Sequence, residues 1–167
     1  DDYGFGIVDA HAAVRLAETW SQKSTYTNLV EVKSDLATVN GAINDLASVS
    51  DTITLSNTKL NIDHVEVNLQ LTHSRIGDLL IEITSPGGTT STLLDRPMDG
   101  DYKGSGSLDF TFDSVHFWGE ASDGNWKLTV TDTETGDTGT LDTWTLNLFG
   151  DAFSDDTTYV FTDDWNT

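Results

Sequence analysis

The fold of this chain is decided by a stretch that reads Val65-Glu66-Val67-Asn68-Leu69-Gln70-Leu71-Thr72. Apolar and polar side chains alternate through it with a period of two, so an extended strand would carry all its apolar side chains on one face. The same alternation recurs in runs formed by Ile53 and Leu55; Leu79, Ile81 and Ile83; Phe110 and Phe112; Trp126, Leu128 and Val130; and Trp144, Leu146 and Leu148. Such strands are typical of antiparallel sheets that cover a core on one face and meet water on the other.

Turn signals separate the alternating runs. They are Ser85-Pro86-Gly87-Gly88, Asp99-Gly100, Asp123-Gly124 and Gly136-Asp137-Thr138-Gly139. Proline, glycine and aspartate favour tight turns for distinct steric and hydrogen-bonding reasons. Short strands at this spacing, with almost no helical periodicity, predict an all-β fold. The expected form is an antiparallel sandwich of two sheets with jelly-roll connections.

The first part of the chain follows a different pattern. Residues 9–20 predict a short helix because Ala10, Ala13, Val14, Ala17 and Trp20 recur at helical spacing, with Asp9 placed to cap its N-terminus. Residues 21–44 are polar with scattered aliphatic side chains, and we interpret them as a connector with one strand at residues 29–32. A helix-like pattern over residues 35–43 is interrupted by Asn40-Gly41, so no regular structure is assigned there.

Composition narrows the class of protein. The 167 residues suffice for one ordinary domain with extensions, and the absence of cysteine excludes a disulfide framework and a zinc–thiolate site. That absence fits a bacterial exported protein, although many intracellular chains share it. The formal net charge of −20 is opposite in sign to what binding a nucleic-acid backbone requires. Two compatible explanations of the negative charge stay open. It could provide solubility, for example in a saline habitat, or it could reflect acidic loops that hold calcium. No apolar run approaches the roughly 18–20 residues of a membrane helix.

No catalytic residue is predicted. The string nearest to a subtilase serine motif is Gly88-Thr89-Thr90-Ser91, but it lies in a turn between two β-runs and not at the start of a helix. His64 and His73 flank an alternating strand, where structural hydrogen bonding is the expected role. Acidic residues are so numerous that a chance carboxylate pair would not indicate a glycosidase.

The loop over residues 95–109 is the best candidate for a metal site. It contains Asp95, Asp99, Asp101 and Asp109 together with three glycines, and Asp78 could approach the same end of the sandwich. Carboxylates on a flexible loop are suitable ligands for calcium, which we therefore predict as a cofactor held by these five residues. A solvated acidic loop is an equally weighted alternative. A second acidic turn, with Asp132, Glu134 and Asp137, is better explained as a hairpin turn, and the acidic tail is a weaker third candidate.

Several motifs in a fixed order carry a family resemblance. They are His73-Ser74-Arg75-Ile76-Gly77-Asp78-Leu79, Thr84-Ser85-Pro86-Gly87-Gly88-Thr89, Trp118-Gly119-Glu120, Asp123-Gly124-Asn125-Trp126-Lys127-Leu128, and Gly139-Thr140-Leu141 with Trp144. Together they resemble the P domain, or homo B domain, of kexin- and furin-like proprotein convertases. Tyr3-Gly4-Phe5-Gly6-Ile7-Val8-Asp9-Ala10 looks like the last segment of a subtilisin-like catalytic domain.

The resemblance implies a jelly-roll sandwich that follows a subtilisin-type protease domain, carries no catalytic residue and is needed for folding of the protease. It divides the chain into a protease tail (1–22), a connector (23–44), the P domain (45–150) and an acidic C-terminal tail (151–167). The implied function is that of a non-catalytic accessory domain that stabilises a secreted subtilisin/kexin-like serine endopeptidase. Its implied partner is the catalytic domain of the same polypeptide, in which the catalytic serine would precede Asp1.

The alternative function is a free-standing carbohydrate- or protein-binding jelly-roll module. A row of coplanar exposed aromatic rings would favour it. We instead expect Trp118, Trp126 and Trp144 in core or interface positions, because they lie on or next to apolar strand faces. Trp118 is expected to cover one end of the sandwich, and Glu120 to accept backbone N–H bonds in the turn that follows it.

Overall fold

The computed structural model describes residues 9–19, 25, 27–97, 104 and 106–152. One helix, α1, spans Ala10–Thr19. The strands are β1 Leu29–Lys33, β2 Ala37–Ile43, β3 Ser48–Leu55, β4 Leu60–His73, β5 Leu79–Thr84, β6 Thr90–Asp95, β7 Gly106–Ser114, β8 Gly124–Asp132 and β9 Gly139–Ala152. A 3-10 turn, Ile76–Asp78, leads directly into β5.

The strands form two antiparallel sheets. The first has the order β1-β9-β4-β7, with β2 beside β1 on the same edge of β9, and the second has the order β3-β8-β5-β6. When β1 and β2 are taken as one interrupted strand, this is the strand order of a jelly roll. The predicted all-β sandwich is therefore confirmed.

The core lies between the two sheets and is built from the alternating apolar positions. Val65, Val67, Leu69 and Leu71 in β4 are buried, and so are their counterparts in β5, β8 and β9. In the central ladder Val67 faces Leu146 on one side and Phe112 on the other. The period-two pattern of the sequence thus corresponds to the buried face in β4, β5, β8 and β9, whereas in the edge strand β7 Phe110 is 52% exposed.

Residues 35–43 differ from the sequence prediction, since β2 occupies most of them. The Asn40-Gly41 pair does not interrupt regular structure but forms a register shift, or bulge, in the ladder between β2 and β9. Asn40 has a positive φ of 46°, and a Cβ on Gly41 would lie 2.7 Å from Cγ2 of Val49. A dipeptide suited to turns is also suited to a bulge, which explains why the local pattern was misleading.

The N-terminal helix agrees with its prediction. Asp9 caps it, because its Oδ1 accepts the Ala12 N–H at 3.0 Å and its carbonyl oxygen accepts the Ala13 N–H at 2.9 Å. Val14 on the apolar stripe is 61% exposed, and Trp20 lies outside the described residues. Among the described residues, no helix has the length and apolar character needed to cross a membrane.

Candidate functional site

The loop between β7 and β8 exposes a tryptophan. Trp118 is 62% exposed, whereas the neighbouring Phe117 is fully buried. Phe117 packs edge-to-face against Trp126 with ring centroids 5.1 Å apart, so Phe117 fills the end of the sandwich that was predicted for Trp118. The prediction of a buried Trp118 is therefore wrong. Adjacent residues of a turn point in different directions, and only one of these two rings can enter the core.

The backbone around Trp118 is held in place by the first part of β4. The N–H of Gly119 donates to the carbonyl oxygen of Ile62 at 2.7 Å, and the N–H of Ile62 donates to the carbonyl oxygen of Glu120 at 2.9 Å. Gly119 has a positive φ of 80°, a conformation that a residue with a side chain adopts only at a cost. The side chain of Trp118 therefore extends from a backbone segment that is held in place by hydrogen bonds.

Glu120 anchors the same loop to a second one. Its Oε2 accepts a hydrogen bond from the Ser85 hydroxyl at 2.5 Å. The acceptor role was predicted, but the donor is a side-chain hydroxyl from a distant turn and not a backbone N–H of the turn that follows Glu120. A Cβ on Gly124 would lie 2.7 Å from Cβ of Pro86, so the turn around Pro86 also packs closely against the start of β8.

Trp118 and Val115, which is also 62% exposed, form what we call the Trp118 patch. The N–H of Trp118 donates to the carbonyl oxygen of Val115 at 3.2 Å, which closes the turn that carries both side chains. Two exposed apolar side chains on a hydrogen-bonded turn are a feature of interaction surfaces, where aromatic anchors contribute much of the binding energy. The chemistry that this patch offers is docking and not catalysis.

A polar cluster is buried where the His73–Leu79 motif, which follows β4, meets the end of β8 at Asp132. His73 Nε2 lies 3.7 Å from Asp132 Oδ2, and Arg75 Nε lies 3.1 Å from Asp78 Oδ1. Burial raises the pKa of Asp78, the Arg75 charge opposes that shift, and the neighbouring charges of Asp137, Asp132 and Glu134 add to it.

This cluster ties together elements that are distant in sequence. The backbone N–H and the hydroxyl of Thr133 both donate to the carbonyl oxygen of Asp78, at 3.0 and 2.7 Å. Asp78, Asp132 and His73 are each almost completely buried. The cluster is therefore closed to a substrate, and its geometry is that of a structural connection between the 3-10 turn and β8.

The residues weighed for catalysis occupy ordinary strand positions. Ser91 lies in β6, with its hydroxyl oxygen 2.8 Å from that of Ser114. His64 stacks on Phe149 with centroids 4.3 Å apart, and its Nδ1 is 3.1 Å from Asp63 Oδ2. These contacts agree with the structural role predicted for His64. His73 Nδ1 lies 2.8 Å from the carbonyl oxygen of Arg75, in agreement with the structural hydrogen bonding predicted for it.

The candidate calcium ligands do not converge in the part of the chain that the structure describes. Asp78 is buried beside Arg75, Asp95 forms an ion pair with Arg96 at 3.0 Å, and Asp109 accepts a hydrogen bond from Gln70 at 3.1 Å. Asp99 and Asp101 lie outside the described residues. Within the described ranges, no three or more histidine or acidic side chains form a group able to hold a metal ion. A calcium site that includes residues 99 and 101 stays a prediction.

Two features of the surface were not predicted, namely the exposure of Trp118 and the Ser85–Glu120 bond. The motifs that contain Ser85 and Glu120 were apparent in the sequence. The two residues are 35 positions apart, however, and no local pattern indicates that they pair. Phe117 and Trp118 are adjacent, and nothing in the local sequence indicated which of the two rings would be buried.

Comparisons with known proteins relate this chain to proprotein convertases. Residues 62–148 match the family described as Proprotein convertase P-domain. Rat furin is 35% identical over 153 residues, which cover 90% of this chain and 19% of furin. Human proprotein convertase subtilisin/kexin type 5 is 36% identical over 157 residues, which cover 89% of this chain and 8% of that protein. The chain thus spans about a fifth or less of the length of these curated relatives.

Solved structures show the same relationship. The crystal structure of a serine protease of Aeromonas sobria matches with a TM-score of 0.65 and 29% identity, over 89% of this chain and 31% of that one. The structure of that protease in complex with a chaperone matches with a TM-score of 0.66.

Proposed function

Because this chain belongs to the proprotein convertase P-domain family, we propose that it is the non-catalytic accessory domain of a secreted, subtilisin-like serine protease. In this proposal it stabilises the catalytic domain of the same polypeptide and helps it to fold. The relatives furin and proprotein convertase subtilisin/kexin type 5, and the serine protease of Aeromonas sobria, support a protease context.

The observation that carries the proposal is the Trp118 patch. A tryptophan that is 62% exposed on a backbone fixed by β4 leaves most of its aromatic ring in water, and burial of that ring against a partner is favourable. A domain that stabilises its neighbour needs a preorganised apolar contact of this kind. Tethering in one polypeptide adds a high effective concentration, so a patch of modest size is sufficient.

The helix α1 supplies a second, independent support. Its described side chains are exposed or half-exposed, and Val14 on its apolar stripe is 61% exposed. A helix of ten residues takes most of its stability from packing, so the apolar stripe needs a surface to pack against. We propose that the catalytic domain provides that surface.

The arrangement of aromatic side chains does not favour the sugar-binding alternative. Phe110 and Trp118 are the exposed aromatic side chains among the described large hydrophobics. Phe110 forms a T-shaped pair with Phe112 at an interplanar angle of 62°, so these rings do not make the coplanar platform that stacks on a sugar. Calcium binding by the loop over residues 95–109, with Asp78 contributing, stays part of the proposal and rests on the acidic sequence alone.

The test uses the full-length parent protein with Trp118→Ala, compared with Leu46→Ala as a matched control. Leu46 is 57% exposed and lies in the turn between β2 and β3, away from the Trp118 patch. We expect Trp118→Ala to lower secreted protease activity at equal expression by tenfold or more, and Leu46→Ala to leave it unchanged. Deletion of residues 45–150 should abolish the activity. Full activity in the deletion variant would refute the stabilising role.

A further inference from the structure

The strand β7 forms one edge of the first sheet. In the part of the chain that the structure describes, it pairs with β4 alone, and this pairing runs from Gly106 to Ser114. An edge strand presents unpaired backbone N–H and C=O groups, which can receive another extended segment. Proteins commonly shorten their edge strands to avoid such pairing, but β7 has nine residues.

The core-facing side of β7 is only partly covered. Leu108, Phe110 and Phe112 alternate on that side, opposite buried residues of β4. Phe112 packs against the core, whereas Phe110 is 52% exposed and meets the Phe112 ring edge-on with centroids 4.8 Å apart. A strand added beside β7 would place a side chain next to Phe110 on the same face, and burial of this ring is favourable.

The solvent-facing side of β7 is acidic. Asp109 and Asp113 are exposed there, and Asp113 lies directly opposite Glu66 of β4. Like charges that face each other across two strands destabilise a sheet. Among the residues that the structure describes, no lysine or arginine forms an ion pair with Glu66 or Asp113. A basic side chain beside Asp113 on an added strand would relieve this repulsion.

The basic residues of the neighbouring β6–β7 connection do not offset the acidic row. Arg96 forms an ion pair with Asp95 at 3.0 Å. In the sequence of residues 96–105, Arg96 and Lys103 are balanced by Asp99 and Asp101. The charge that β7 presents to an added strand is therefore negative.

We propose that β7 binds, as an added strand, an extended segment of a partner protein in which lysine or arginine alternates with apolar residues. Side chains alternate between the two faces of a strand, so such a segment places its apolar residues beside Phe110 and its basic residues beside Asp109 and Asp113. None of these three residues belongs to the Trp118 patch. A second copy of this chain is a poor occupant, because antiparallel pairing of two β7 strands with their apolar sides together joins two acidic rows, and each chain has a net charge of −20.

The probe is a blocked synthetic peptide of the same length as β7 in which lysine alternates with valine. It is titrated into the full chain, with calorimetry to measure affinity and NMR to locate the amides whose chemical shifts change. We expect saturable binding with the largest changes in residues 108–113. A control peptide of the same composition, with its lysines in one block and its valines in another, should bind at least tenfold more weakly because it cannot match both faces of β7.

Three variants of the chain complete the test. Phe110→Ala and Asp113→Asn should each weaken binding of the alternating peptide at least fivefold. The matched control Glu82→Gln removes the same charge from the outward side of β5 in the second sheet and should leave the affinity unchanged.

Four results would overturn the proposal. The alternating peptide could fail to bind, or the block peptide could bind equally well. A loss of affinity in Glu82→Gln as large as that in Asp113→Asn would show that net charge alone attracts the peptide. Dimerisation of the free chain through β7, measured by sedimentation and abolished by Phe110→Ala, would identify a second copy as the occupant.

Discussion

The Ser85 hydroxyl donates a hydrogen bond of 2.5 Å to Oε2 of Glu120 and so joins the β5–β6 turn to the β7–β8 loop. A Cβ on Gly87 would lie 3.0 Å from the same Glu120 oxygen, so the turn and the carboxylate are in close contact. The bond holds the loop that carries Trp118 and so helps to position the Trp118 patch, although neither residue belongs to that patch.

Glu120→Ala should lower the free energy of unfolding by about 1–2 kcal/mol, since a hydrogen bond to a charged group is stronger than a neutral one. Ser85→Ala should have a similar effect. Urea denaturation of both single variants and the double variant gives the coupling energy of the pair. Strictly additive losses would show that the two side chains do not interact in solution.

Phe117→Ala and Trp118→Ala should differ sharply although the residues are adjacent. Removal of the fully buried Phe117 ring should cost about 3–5 kcal/mol, because it leaves a cavity beside Trp126. Trp118→Ala should cost less than about 1 kcal/mol in this chain, because most of the ring is already in water. Chemical denaturation measures both. A larger loss for Trp118→Ala than for Phe117→Ala would contradict the assignment of core and surface.

Asp78 should make the fold less stable as the pH rises. Burial raises its pKa above the ordinary value of 3.8, so the folded state holds this proton more tightly than the unfolded chain does. The contribution of Asp78 is therefore most favourable below pH 3.8, and it declines as the pH rises from there through the raised folded-state pKa. Urea denaturation as a function of pH should show a smaller decline for Asp78→Asn than for the unaltered chain. An identical pH profile would contradict this prediction.

Asp123 should change the stability of the fold with pH in the direction opposite to Asp78, so that stability falls as the pH is lowered. Hydrogen bonds from the Thr58 hydroxyl at 2.6 Å and from the Thr58 N–H at 2.8 Å lower the pKa of this carboxyl below its ordinary value of 3.8. The contribution of Asp123 to stability is present above pH 3.8 and is lost as the pH falls through the lowered folded-state pKa. Asp123→Asn should flatten the acid side of the profile, and Thr58→Ala should do so in part. Measurement of the Asp123 carboxyl titration by NMR provides the direct check, and a value at or above 3.8 would contradict it.

Calcium should raise the melting temperature of the chain if the loop over residues 95–109 binds it, because a ligand of the folded state stabilises that state by mass action. Thermal melts with millimolar calcium and with EGTA measure the difference. Asp99→Asn with Asp101→Asn should remove the effect, whereas Asp113→Asn on β7, outside the loop, should retain it. A melting temperature that is the same with calcium and with EGTA would count against the site.

The sequence by itself determined the features that local periodicity encodes. The alternation from Val65 to Leu71 predicted a half-buried strand, and Asp9 before an apolar stripe predicted a capped helix; both are confirmed. Each of these signals is contained within a few residues, because the 2.0 and 3.6 periods place side chains on a face wherever the element packs. The order of the motifs likewise indicated the P-domain family, and the family match over residues 62–148 confirms it.

Only the tertiary structure decided which side chains meet. Phe117 and Trp118 are equally suited to fill the end of a sandwich. The fixed path of the β7–β8 loop along β4, with its positive φ at Gly119, turns Phe117 inward and Trp118 outward. In the same way Asn40-Gly41 became a bulge, because its partner strand β9 required the extra residue. Ser85 contacts Glu120 where turns from the two sheets meet, and Asp78 lies close to Asp132 because β5 pairs with β8 and sets Leu79 opposite Asp132. The physical reason is that such pairings depend on the approach of distant backbone segments, whereas periodicity reports only the face on which a side chain lies.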